Sequence, residues 1–298
     1  MLYRQLGKSA LQISEIGLGC MSLKENDPAN EEIIHRALDA GINFFDTADI
    51  YQNGQNEICL GKALRHRRKE VIIASKVGNQ LRKDGNGLDW NPRKDHIISS
   101  VEKSLQRLQT DYIDLYQLHG GTIDDPISET IEAFETLQQQ GKIRFYGISS
   151  IRPNVIREYV SRSRIVSVMM QYSLLDRRPE ESCFELFEKN NIGVLTRGSI
   201  AKGLLIDKPA ESYLTYNAAD ISKAATAIHL ISNEKRNPVQ TALRFVLNQK
   251  GVSSAVVGIR TLKQLEEAAR TSDTPELAND EMIYLKNVLS PNYYEQHR

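Results

Sequence analysis

Apolar residues along the chain gather into eight short runs: EIGLGCM (15–21), INFFDTA (42–48), VIIASKV (71–77), YIDLYQLH (112–119), IRFYGISS (143–150), VSVMMQYS (166–173), IGVLTRGS (192–199) and VSSAVVGI (252–259). Each is close to continuously apolar, as a strand buried on both faces must be. Between the runs, apolar positions recur at helical spacing: Ile33, Ile34, Ala37 and Leu38 ahead of Gly41; Ile98, Val101, Leu105 and Leu108 after Pro92; Ile131, Phe134 and Leu137 ahead of Gly141. Asn30 before EEII, Pro153, and Asn237 with Pro238 read as helix starts, because such residues accept an orphan amide or lack one.

Strands alternating with helices predict parallel pairing. Eight such units without a break in composition predict an α/β protein with one closed (β/α)8 barrel, residues 1–298 forming a single domain. The opening LYRQLGKSALQIS reads as a hairpin turning at Gly7 and Lys8 and capping the barrel bottom. NDEMIYLKNVLS reads as a closing helix, with Asn279 as its cap and Met282, Leu285 and Leu289 on one face. The two long connections, 78–92 and 200–220, each follow a strand and so should overhang the end where such barrels carry chemistry.

Composition narrows the class. With hydrophobic residues at 40% and charged residues at 26%, the 298-residue chain has the balance of an ordinary globular protein. Its 38 basic and 38 acidic side chains cancel, which gives no support to a nucleic-acid or membrane-surface partner. Three widely spaced cysteines, Cys20, Cys59 and Cys183, indicate neither a disulfide framework nor a zinc site. No basic-then-apolar leader opens the chain and no apolar stretch approaches about 18 residues, so the expected location is cytoplasmic. GLGCMS (17–22) lacks the third glycine of a dinucleotide fingerprint, and KENDPAN separates it from the next helix. P-loop, zincin and hydrolase-elbow patterns are missing as well.

Four residues fall at the carboxyl ends of the early strands: Asp46 in INFFDTA, Tyr51 just beyond it, Lys76 in VIIASKV and His119 closing YIDLYQLH. Taken singly, each is ordinary structure. Together they supply what reduction of a carbonyl by hydride needs, namely a proton at the oxygen. Tyr51 is the candidate acid. Its phenol has an ordinary pKa of about 10, which a neighbouring Lys76 ammonium is expected to lower. Asp46 would keep that lysine charged and oriented, and His119 would offer a second hydrogen bond to the carbonyl oxygen. Asp49 has no such partner and reads as a solvated loop acid.

In these four residues the sequence resembles the aldo-keto reductase family, whose tetrad is Asp, Tyr, Lys and His at the same elements. The resemblance spans essentially the whole chain and includes the bacterial general-stress and inositol-operon type and the branch of potassium-channel β-subunits. It implies a barrel reductase of aldehydes and ketones using NADP(H). Ser149, Ser150 and Gln171 would grip the nicotinamide amide, Gly258 and Arg260 a phosphate, and Gln264 and Glu267 the adenosine side. Without the family, those first three are ordinary strand-end polar residues, and LKQLEEAAR (262–270) is an amphipathic helix with a solvated face. The chain also departs from the family's usual pattern. Ser150 and Ala268 replace common asparagines, HGG replaces His-x-Pro-Asp after His119, and Arg197 stands where an aromatic ring commonly stacks on the nicotinamide. Arg197 would then favour reduced cofactor, contact substrate, or bind phosphate. Trp90, Met21 and Cys20 either line a pocket or simply pack. A different class of function is also compatible: an NADPH-sensing, partner-binding protein with little turnover.

Overall fold

Strands apolar on both faces must cover both, and a closed cylinder ringed by helices does so without leaving an edge. The computed structural model describes residues 1–82, 84 and 86–298. Its strands are β1 (Tyr3–Gln5), β2 (Gln12–Ser14), β3 (Ile16–Gly19), β4 (Phe44–Asp46), β5 (Ile72–Val77), β6 (Asn79–Leu81), β7 (Leu88–Trp90), β8 (Ile113–Leu118), β9 (Ile143–Ser149), β10 (Ser167–Gln171), β11 (Gly193–Arg197) and β12 (Val252–Gly258). All eight apolar runs become barrel strands, closed in the order β10-β11-β12-β3-β4-β5-β8-β9 with parallel neighbours throughout.

Around the barrel run α1 (Ala29–Asp39), α2 (Gln55–Leu64), α3 (Lys94–Leu108), α4 (Ile127–Gln139), α5 (Pro153–Arg162), α6 (Cys183–Lys189), α7 (Ala218–Ile231), α8 (Pro238–Leu247) and α9 (Leu262–Ala269), followed by the closing α10 (Asn279–Val288). The helix starts at Pro153 and at Asn237–Pro238 form as expected, the second with a capping box to Gln240. Two others move. α1 begins at Ala29, whose amide is taken by Asp27 Oδ1 at 2.9 Å, while Asn30 lies inside the first turn and bonds the Lys24 carbonyl. In α10 the cap position falls on Ala278, its amide held by Glu281 at 2.8 Å, and Asn279 is the first helical residue.

The core has two compartments. One lies inside the barrel, where Phe44, Leu115, Met169 and Leu195 meet Leu6, Leu11 and Ile13 of the N-terminal β1–β2 hairpin, which plugs the bottom as anticipated. The larger one fills the layer between barrel and helices. The 78–92 connection contains a second hairpin, β6 against β7, at the opposite end; Lys83 and Gly85 within it lie outside the described residues. Among the described residues no helix is long and apolar enough to cross a membrane, and the three cysteines are free thiols.

Candidate active site

β4 and β5 pair with Asp46 opposite Ala74, which sets Asp46 and Lys76 at the same end of the barrel. Lys76 is 1% exposed, so its ammonium must find its partners within the protein. It finds three: Asp46 Oδ2 at 2.7 Å, the Thr47 carbonyl at 2.7 Å and the Tyr51 hydroxyl at 3.3 Å. An ammonium has three protons, and all three are used. On the other side of Asp46, Gln117 Nε2 approaches Oδ1 at 3.5 Å.

Tyr51 comes from a short turn whose next two residues, Gln52 and Asn53, have φ of 51° and 53°. That left-handed pair is strained for residues with a Cβ and is held by its side-chain contacts. Gln52 Nε2 donates to the Leu23 carbonyl at 2.6 Å, and buried Asn56 bridges the Cys20 carbonyl at 2.8 Å and Thr47 Oγ1 at 2.7 Å. The turn aims the Tyr51 ring at His119, the two meeting edge to face with centroids 5.8 Å apart.

Electrostatics assign the protonation states. Burial works to lower the Lys76 pKa, but Asp46 and Tyr51 outweigh it and hold the ammonium above its ordinary value. Burial pushes the Tyr51 phenol upward, and Lys76 pulls it down without overcoming that, so the expected net lowering does not occur. Tyr51 therefore carries its proton at neutral pH. His119 is pushed down to about 3, first by burial and then by the charges of Lys76 and Arg197, and is a neutral imidazole; its Nδ1 is buried without a hydrogen-bond partner.

Asp49 is not a solvated loop acid. Its Oδ1 is buried without a partner, and burial, reinforced by the nearby Glu57 carboxylate, raises its pKa to about 7 despite Arg107 and Lys76. Glu57 itself is fixed by Ser75 Oγ at 2.5 Å and Arg107 Nε at 2.7 Å. Asp49 thus lies beside the Glu57 carboxylate and within reach of the Arg107 and Lys76 charges.

The remaining candidates occupy the ends of β9 to β12. Ser149 and Ser150 are buried, and Ser150 Oγ accepts the Arg152 amide at 3.2 Å. Gln171 and Arg197 stand side by side in the β10–β11 register, and Gln171 Nε2 contacts the Tyr213 hydroxyl at 3.4 Å. At Gly258 a Cβ would collide with Ser22 Oγ as that side chain is placed, so the two segments approach closely there. Arg260 is exposed beside it. Two positions are already engaged within the chain: Gln264 Oε1 accepts the Arg260 amide at 2.9 Å, and Glu267 Oε1 accepts Asn237 Nδ2 at 2.8 Å.

Three contributors escaped the sequence reading. Gln117 was findable, since it lies two residues before His119 on β8 and therefore faces the same side. Tyr213 sits in a loop without periodicity, and Thr47 acts through a backbone carbonyl that no side-chain pattern reveals.

A parallel barrel whose strand ends join an acid, a lysine, a tyrosine and a neutral histidine is the framework of a carbonyl-handling oxidoreductase. A sequence model of the Aldo/keto reductase family matches residues 15–290, and the chain belongs to that family. It is 45% identical to the uncharacterized oxidoreductase YqkF of Bacillus subtilis, with 100% of each chain covered. It is 32% identical to L-galactose dehydrogenase of Arabidopsis thaliana, covering 97% of this chain and 94% of that one. The holo form of aldo-keto reductase AKR11C1 from Bacillus halodurans superposes with a TM-score of 0.95 at 46% identity, over 100% of this chain and 99% of that chain. The family binds NAD(P)H in general. The exposed, side-chain-free backbone at Gly258 and the exposed cations Arg197 and Arg260 on neighbouring strand ends fit an anionic dinucleotide.

Proposed function

We propose that the chain is an NADPH-dependent reductase of aldehydes and ketones in which Tyr51 donates the proton. The carrying observation is the complete use of the Lys76 ammonium. Because Lys76 donates to the Tyr51 oxygen, the phenol's own hydrogen points away from the lysine and is available to a substrate. Neutral His119, edge to face with Tyr51, offers an N–H to the same carbonyl oxygen and orients it. As the C=O bond becomes an alcohol, the proton leaves Tyr51, and Lys76, kept charged by Asp46, stabilises the phenolate left behind.

NADPH, when bound, supplies the hydride to the carbonyl carbon. Ser149, Ser150 and Gln171 would hold its carboxamide, Arg197 would lie against the ring, and Gly258 with Arg260 would hold a phosphate. Gln264 and Glu267 would reach the adenosine side through Nε2 and Oε2, the atoms their internal contacts leave unused. Arg260, a fork-shaped cation, favours the extra phosphate of NADPH over NADH. A small-molecule carbonyl substrate and a cytoplasmic setting complete the reading.

The test is loss of NADPH absorbance with aromatic and short aliphatic aldehydes and quinones. Tyr51→Phe should bind NADPH as wild type does and lose about 10²–10⁴ of kcat. A phenylalanine variant turning over at the wild-type rate sinks the assignment. Tight NADPH binding without turnover in either protein would favour a cofactor sensor.

A further inference from the structure

Two glycines follow His119, and both have left-handed φ, 142° at Gly120 and 124° at Gly121. A backbone so permissive does little to fix the preceding residue. Nor is the imidazole tethered through Nδ1, which has no partner. Beyond the edge-to-face contact with Tyr51, its support comes from the β6–β7 hairpin.

Asn79 and Trp90 are directly paired across the base of that hairpin. Both turn onto the His119–Gly120 unit. Asn79 Nδ2 approaches the His119 carbonyl at 3.3 Å. The six-membered edge of the Trp90 ring lies where side chains at Gly78 and Gly120 would be: a Cβ would stand 2.7 Å from Trp90 Cζ3 at Gly78 and 3.3 Å from it at Gly120. The indole N–H is latched by Asp125 Oδ1 at 2.9 Å, and Asp125 is itself fixed by the Thr122 amide and hydroxyl, each at 2.7 Å. The Asn91 amide closes the hairpin base on the Gly78 carbonyl at 2.7 Å, while the His119 amide bonds the Val77 carbonyl at 2.7 Å. Gly78 and Gly120 thus form a seat and Asp125 a latch.

We infer that Trp90 is a positioning residue: seated on Gly78 and Gly120 and latched by Asp125, it fixes the direction in which His119 presents its imidazole to the substrate carbonyl. Gly120, directly after His119, is then the complement of a tryptophan, not a loosening of the site. Leu81 and Leu88, paired further along the same hairpin and exposed, extend this element into the solvent at the active-site rim, so a substrate that touches the hairpin touches the support of His119. The kinetic part of this inference rests on the reductase reading, and its structural part does not.

The test uses the full chain with ¹⁵N-labelled histidine, the His119 ring signals being identified by their loss in His119→Gln. Trp90→Ala should shift or split those signals while leaving the other histidines in place. It should lower kcat about tenfold with an NADPH Kd within about twofold of wild type, as expected for a misplaced orienting group. Trp90→Phe still fills the seat and should recover most of that loss. In a His119→Gln background, Trp90→Ala should change kcat by less than about twofold. Unmoved ring signals overturn the inference, as does an undiminished effect in that background. If wild type oxidises no NADPH with any carbonyl, the reductase reading falls, and the ring signals still decide the positioning.

Discussion

The two ends of the barrel both bury charge and use it differently. At the bottom, Glu15 lies between Arg4 Nη2 at 2.7 Å and Arg244 Nη1 at 3.2 Å. Arg4 also reaches the Leu247 and Val252 carbonyls, and Arg244 those of Thr271 and Thr274. The β1–β2 hairpin covers this end with Leu6, Leu11 and Ile13. At the top, Asp46 and Lys76 are just as buried, but their third partner is a hydroxyl whose proton remains available, beside an imidazole with a buried, unpaired nitrogen. One end spends its charges on fastening elements together. The other holds a charge in readiness, which is how a site stores reactivity.

The largest effects come from removing one partner at each end. Lys76→Met strands the Asp46 carboxylate and Glu15→Gln strands buried Arg244, and each should cost about 3–5 kcal/mol in urea unfolding. Their catalytic consequences should diverge. Lys76→Met abolishes carbonyl reduction, whereas the folded Glu15→Gln protein keeps its kcat near wild type. Equal losses of kcat would erase the distinction between the ends.

A middle-sized effect belongs to Asp49, which has the burial of a structural group without its partners. Its folded pKa, about 7, lies above that of the unfolded chain, so the folded state holds the proton more tightly. Stability should therefore fall as pH rises from about 4 to about 7 and carry the full penalty above that. Asp49→Asn should raise stability by about 2 kcal/mol at pH 8, with the gain shrinking toward pH 5. Thermal melts across that range check it, and a gain that grows toward acid pH contradicts the sign.

The smallest effect sharpens the view of the top as a charged surface. Arg197→Tyr should improve the affinity for oxidised relative to reduced cofactor by about fivefold, or roughly 1 kcal/mol. Fluorescence titration with both forms measures it, and an unchanged ratio removes Arg197 from the nicotinamide.

The eight barrel strands were legible because burial on both faces leaves a continuous apolar signature, and the meeting of Asp46, Tyr51, Lys76 and His119 because strand ends converge in such a barrel. Legibility failed where contact decides structure. NQLRKDGNGLDW looks like a polar loop because the β6–β7 hairpin takes its hold from glycines and a histidine carbonyl distant in sequence, and not from apolar alternation of its own. Asp49 looks solvated because groups that surround it, Arg107 and Lys76, lie far from it in sequence. Asn30 and Asn279 have the chemistry of caps, but Asp27 and Glu281 reached the amides first.

The plug at the barrel bottom bears on how the molecule comes into being. Arg4 is bonded to carbonyls 243 and 248 positions away, and Ser253 Oγ donates to the Gln5 carbonyl across 248 positions. Loops of that span close late and slowly. A ribosome would therefore release the opening residues long before their seat exists. A segment made well before its partners is thus among the last to be placed, and a chain cut short before the eighth barrel strand should leave that hairpin without a closed barrel to cover.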